Sequence, residues 1–181
     1  MALVVIASNS LSGINAILFY AKQLFNKITD GDLAQAQLLI VIMSGVQVCA
    51  TFISSRIVDR LGRKDLIITG QAILLGILLA IFIFDKVIRE YVDASVSNYS
   101  IIGLIFTHLL VMNMTLGPCC VVYCAEIVAD ITWMIILLKG LALLIALTTE
   151  YLIEYVGIGF MFLIFFGLGL CAHIFLRPRV R

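Results

Sequence analysis

The chain has 181 residues, 63% of them hydrophobic and only 13% charged, with a mean hydropathy of +1.17. Soluble domains run at about 45–50% apolar and 25% charged, which excludes an aqueous globule and makes the lipid bilayer the solvent and first partner. A net charge of +1 lacks the basic footprint that nucleic-acid partners require.

A helix that crosses a bilayer needs about 20 mostly apolar residues. In chain order six stretches meet that need, over about residues 2–25, 37–57, 66–84, 101–125, 131–153 and 157–176. The opening "MALVVIAS" has no basic residue ahead of it and runs straight into the first span, so it does not read as a signal peptide. No linker or low-complexity segment divides the spans, and residues 1–181 are expected to form one membrane domain.

The loops carry the orientation. Lys and Arg concentrate on the cytoplasmic side of a membrane protein. With six spans, one side holds Arg56, Arg60, Arg63, Lys64, Arg177, Arg179 and Arg181, and the other holds Lys22, Lys27, Lys86 and Arg89. Both termini are therefore expected in the cytoplasm, or in the matrix or stroma of an organelle. Lys139 falls inside the fifth span, eleven residues before Glu150. That interval is about three turns, a rise of about 16 Å, too far for a direct ion pair. Lys139 is expected to snorkel or to meet an acid on another chain.

Polar groups inside these spans need partners, because an unpaired amide in hydrocarbon costs several kcal/mol. On the first span Ser8, Ser12 and Asn15 follow a four-then-three spacing and share a face. The second span offers Ser44, Gln47 and Thr51, and the fourth offers Asn113 and Thr115 just before Gly117-Pro118. Two readings stand side by side: interhelical packing contacts, and a polar cleft lined by three helices.

Other chemistry is thin. Cys49, Cys119, Cys120, Cys124 and Cys171 all lie in apolar runs, where cysteine acts as a small packing residue. His108 is a lone imidazole on an apolar face. No Ser/His/Asp set, metal-ligand spacing or phosphate-cradling loop occurs, so neither an enzyme nor a metal or cofactor is expected.

Four motifs in order carry a resemblance. "SGINAILFY" on the first span resembles the seventh transmembrane helix of the sugar porters, a branch of the major facilitator superfamily. "DRLGRK", Asp59 to Lys64, is similar to the loop after their eighth helix. "GPCCVVYCAEI" resembles their tenth helix, with Glu126 at its cytoplasmic end. "LIALTTEYLIEYVGIGFMFLIF" is similar to the eleventh and twelfth. The resemblance covers nearly the whole chain and the C-terminal half of that fold. It implies an all-α membrane protein of six transmembrane helices, built as two inverted three-helix repeats.

The resemblance also implies roles. Asn15 matches the sugar-contacting asparagine, Gln47 the next polar cavity position, and Asn9 and Ser10 stand where the family has paired glutamines. Asp59, Arg60, Arg63 and Glu126 would form the cytoplasmic charge cluster. Gly117 and Pro118 would break the fourth helix, because proline removes one backbone bond and crowds another. Several family features are absent. Val121 stands for the tenth-helix tryptophan and Cys120 for a second proline, and aliphatic residues of Leu138–Leu144 or Lys139 replace an asparagine and a tryptophan. The Pro-x-x-x-Arg stretch gives way to "IVAD", and the chain ends in "FLRPRVR" without the closing signature.

Two functions follow from the resemblance. One is transport of a hexose-type sugar once a second half, either another membrane chain or a second copy, completes the path. The other is a transport-inactive half-transporter serving as a structural subunit of a larger membrane complex. The six-span topology is checked by cysteine-accessibility labelling, which should place residues 26–36 and Arg179 on opposite sides of the membrane.

Overall fold

The computed structural model describes residues 2–18, 25–26, 32–61, 63–87, 91, 94–127, 131–155 and 157–176. Among them the regular structure is entirely helical. Seven helices are named here in chain order: α1 (Ala2–Leu11), α2 (Leu33–Leu61), α3 (Arg63–Lys86), α4 (Ala94–Met114), α5 (Leu116–Ile127), α6 (Ile131–Tyr155) and α7 (Ile158–Leu176). A further helical stretch covers residues 14–18. Three segments are long and apolar enough to cross a membrane by length and composition: Ala34–Arg56, Asp65–Lys86 and Tyr99–Val122. The last runs through the junction of α4 and α5. Shorter apolar stretches occupy Ile135–Thr149 and Gly159–Phe175.

Local chemistry sets the helix ends. Asp32 caps α2, its carboxylate accepting the N–H groups of Ala34 at 3.0 Å and Gln35 at 3.3 Å, while its carbonyl accepts the N–H of Ala36. A helix leaves its first N–H groups without internal partners, and an acidic cap both fills that need and faces the positive end of the dipole. Between α6 and α7 the chain reverses at Gly157, whose φ of +91° is a left-handed conformation open to glycine. Its N–H donates to the Leu152 carbonyl at 3.1 Å, and its own carbonyl receives the N–H of Met161, opening the next helix.

The core is a seam of aliphatic and aromatic side chains. Ile67, Leu74, Leu78 and Ile81 lie along one face of α3, and Ile101, Ile105, Leu109 and Met112 along one face of α4. Phe162 and Phe165 of α7 and Ile17 of the 14–18 stretch complete it. Phe25 stacks on Phe106 at 6.2 Å between ring centroids. The helix α3 is central, packed closely along α7 and α4. α4 lies against both α2 and α3, just as α1 lies against α6 and α7. Exchanging α1, α2 and α3 for α4 with α5, α6 and α7 maps this pattern of packing onto itself.

Large apolar side chains also point outward, among them Val41 (71% exposed), Val48 and Phe52 on α2 and Trp133, Leu144 and Leu147 on α6. A helix apolar on all sides suits a hydrocarbon surround.

Replacing Asp32 by Ala removes two hydrogen bonds from the α2 terminus and should cost about 1 kcal/mol. The expected signature is faster hydrogen exchange at the Ala34 and Gln35 amides, with exchange in the middle of α2 unchanged.

Candidate functional site: two interrupted helices

The first interruption lies after α1. Ser12 folds back on its own turn: its hydroxyl donates to the Asn9 carbonyl at 2.7 Å, and its N–H reaches the same oxygen at 3.4 Å. Gly13 follows with φ +84°, a conformation that strains any residue carrying a Cβ. Helical structure then resumes, with the N–H of Ile17 donating to the Gly13 carbonyl. The first span, expected to be a single helix, is therefore broken in its apolar interior. Left-handed glycine is the physical reason, and the even hydropathy of the run conceals it.

The second interruption separates α4 from α5 at Thr115. Pro118 has no N–H, so the ladder lacks a donor for the carbonyl four residues earlier, at Met114. Thr115 bonds the Val111 carbonyl through both its N–H (3.0 Å) and its hydroxyl (2.7 Å). Gly117 packs tightly here, since a Cβ there would stand 3.2 Å from the Met112 carbonyl. The expected break at Gly117 and Pro118 thus lies one turn earlier in the backbone, where the missing bond is felt. The two interruptions touch: the Ser12 hydroxyl is 3.6 Å from the Met112 sulfur.

The expected substrate contacts distribute as follows. Asn9 is half-buried and Ser10 fully buried on α1, and neither the Asn9 side-chain oxygen nor the Ser10 hydroxyl has a hydrogen-bond partner among the described residues. Asn15 is half-buried just past the break. These three cluster around the first interruption. Gln47 is half-buried on another wall, on α2, whose main packing partner is α4. For the charge cluster, the side chains of Asp59, Arg60, Arg63 and Glu126 lie outside the described residues, as does that of Glu150.

Of the polar groups read as a shared cleft or as interhelical contacts, Ser8 and Ser12 bond across to another helix, while several others bond their own. Ser44 donates to Ile40, Thr51 to Gln47 and Asn113 to Leu109, each to a carbonyl four residues back on its own helix. Short polar side chains compete in this way for the nearest backbone acceptor. Further interhelical hydrogen bonds come from Gln71 and Ser54, which lie outside the polar sets read from the spacing. Gln71, 3% exposed on α3, donates through Nε2 to the Ser8 hydroxyl at 2.9 Å and to the Gly169 carbonyl at 3.3 Å. One amide thereby ties α1, α3 and α7 together. Ser54 on α2 donates to the Met114 carbonyl at 3.0 Å. A lone glutamine in an otherwise apolar span was a signal for Gln71, whereas Ser54 had none.

His108 is fully buried, as a core imidazole on an apolar face should be. Among the described residues no His/Cys/Asp/Glu group could hold a metal, and the described cysteines form no disulfide.

Among the described residues the regular structure is all helical, with apolar segments long enough to cross a membrane and two helix interruptions, which defines the class of multi-pass membrane proteins. The family model described as "Sugar (and other) transporter" matches residues 1–177, and the chain belongs to that family. It is 34% identical over 152 residues to the glucose facilitated diffusion protein of Zymomonas mobilis, covering 82% of this chain and 28% of that protein. It is 41% identical over 105 residues to sugar transport protein 7 of Arabidopsis thaliana, covering 56% of this chain and 20% of that one. The major myo-inositol transporter IolT of Bacillus subtilis is 25% identical over 186 residues, covering 92% and 36%. The chain thus spans about a third or less of the length of these relatives.

The second interruption is gripped by a neighbour. A Cβ at Gly70 of α3 would lie 2.6 Å from the Thr115 Cβ, so Gly70→Ala should destabilise the bundle by about 1–3 kcal/mol through overpacking. The measurement is the thermal unfolding midpoint in detergent. Gly45→Ala, with no atom within 4 Å of the added Cβ, should not lower it.

Proposed function

We propose that the chain is the C-terminal six-helix half of a sugar-porter fold. It serves the transmembrane transport of a hexose-type sugar when a second six-helix body, another chain or a second copy, completes the path. The observation that carries this reading is the meeting of two interrupted helices, one in each set of three spans, through Ser12 and Met112. In secondary transporters such discontinuous helices lie at the interface of structural repeats and line the substrate site. The symmetric packing supports two repeats, and three spans each give them opposite topology. The names of the relatives, transporters of glucose, other sugars and myo-inositol, support a carrier rather than an enzyme.

On this reading Asn9, Ser10, Asn15 and Gln47 face the sugar. The unpartnered Asn9 oxygen and Ser10 hydroxyl are suited to it, because a buried polar group without a partner is costly until a ligand supplies one. Asp59, Arg60, Arg63 and Glu126 close the cytoplasmic mouth through charge-assisted hydrogen bonds. Residues 1–181 act as one domain, with both termini on the cytoplasmic side.

A second reading, a transport-inactive structural subunit, is favoured by one feature. Val121 (47% exposed) and Leu143 (62% exposed) present bare aliphatic surface where the family resemblance implies polar and aromatic contacts. A wall of that kind suits dry packing against protein.

Reconstitution into liposomes with labelled-hexose counterflow separates the two. The chain by itself should show no uptake. Together with the membrane chain that co-purifies with it, saturable and stereospecific uptake should appear and fall on Asn15→Ala. A stable assembly without uptake identifies the structural subunit. Saturable uptake by the monomeric chain overturns the need for a second body.

A further inference from the structure

Most hydroxyls of the described spans bond within their own helix. Ser44, Thr51, Ser55, Ser100, Thr107 and Thr148 all donate to a carbonyl three or four residues back. Ser54 differs. Its Oγ leaves α2 and donates to the carbonyl of Met114 at 3.0 Å, sixty residues along the chain. That acceptor is the carbonyl four residues before Pro118, which in an unbroken helix would accept the N–H that proline does not have.

Placement agrees with the chemistry. Met43, Ala50 and Ser54 are the buried positions of α2 at this level, spaced seven and four apart on the face toward α4. Ser54 is 1% exposed although Phe52, two residues away, is 75% exposed. On the other side of the break Thr115 is pressed against Gly70 of α3. The bend is therefore held between a hydrogen bond from α2 and a steric contact from α3. An apolar residue at 54 would leave the Met114 carbonyl with no donor in a setting that supplies no water.

We propose that Ser54 is a positioning residue: its hydroxyl takes the place of the N–H that Pro118 lacks and fixes where the fourth span bends against α2. Its consequence for transport, that α5 pivots at Met114 while the end of α4 remains tied to α2, rests on the carrier reading. The bond itself does not, and its test involves no sugar.

Met114–Thr115 is the single Met–Thr step in the sequence. The full chain labelled with [1-13C]methionine and [15N]threonine therefore gives one carbonyl–amide correlation in solid-state NMR, reporting on the Met114 carbonyl in lipid. Ser54→Ala should move that carbonyl upfield, as loss of a hydrogen bond does. Ser54→Thr should keep the original position, and Ser54→Cys, a weaker donor, should fall between. In a Pro118→Ala background the backbone N–H returns, and Ser54→Ala should then leave the resonance unmoved. An unchanged resonance in Ser54→Ala, or an equal shift in both backgrounds, overturns the proposal. Loss of hexose counterflow with all resonances as expected would instead bear on the carrier reading alone.

Discussion

In hydrocarbon there is no water to receive a broken backbone hydrogen bond, so every N–H and C=O must find its partner inside the protein. Much of this molecule follows from that constraint at the two places where it is strained. At Gly13 the chain leaves helical geometry, and Ser12 supplies a hydroxyl to the Asn9 carbonyl from within the same turn. At Pro118 the ladder loses a donor, and Ser54 supplies one from a different helix. The first repair is local, made within a single turn of the same chain segment. The second joins two spans and makes the position of the bend a tertiary property.

Helix association in a membrane lacks the drive that burial gives in water, because lipid tails are as apolar as leucine. Close packing and a few interhelical hydrogen bonds have to suffice. The organisation around α3 fits that requirement. Gln71 links three helices with one amide, and glycines at 70, 159 and 169 stand where a Cβ would collide with Thr115, Asp85 and Leu75. The same α3 terminus carries Lys86, whose ammonium lies 5.1 Å from the Phe160 ring centroid of α7, while Phe82 meets that ring edge-on. Small residues along the α3 contacts bring backbones close, and aromatic and charged groups finish the end of the α3–α7 pair.

The distribution of polarity bears on what the bundle can do. Hydroxyls of α2 that might have lined a cavity are engaged with their own backbone, whereas the Asn9 oxygen and the Ser10 hydroxyl beside the first interruption are buried without a partner among the described residues. Elsewhere the outward faces of α2 and α6 carry many aliphatic and aromatic side chains.

The sequence by itself determined the membrane setting, the helical class and the family. Each rests on information local in the chain: runs of about 20 apolar residues, breaks at charged loops, and motifs such as "DRLGRK" whose meaning does not depend on what packs nearby. It also pointed to Gly117-Pro118, because proline's missing N–H is a property of the residue, while the backbone interruption itself falls at Thr115. The break at Gly13 was hidden, since glycine in an apolar run signals either close packing or a left-handed turn, and only the backbone chose between them. Tertiary structure alone decided that Ser44 and Thr51 turn inward on their own helix while Ser54 and Gln71 reach across. All four are short-range hydrogen-bonding side chains in apolar spans. What separates them is whether a neighbouring helix presents an unpaired acceptor at the right height, and that depends on residues far away in the chain.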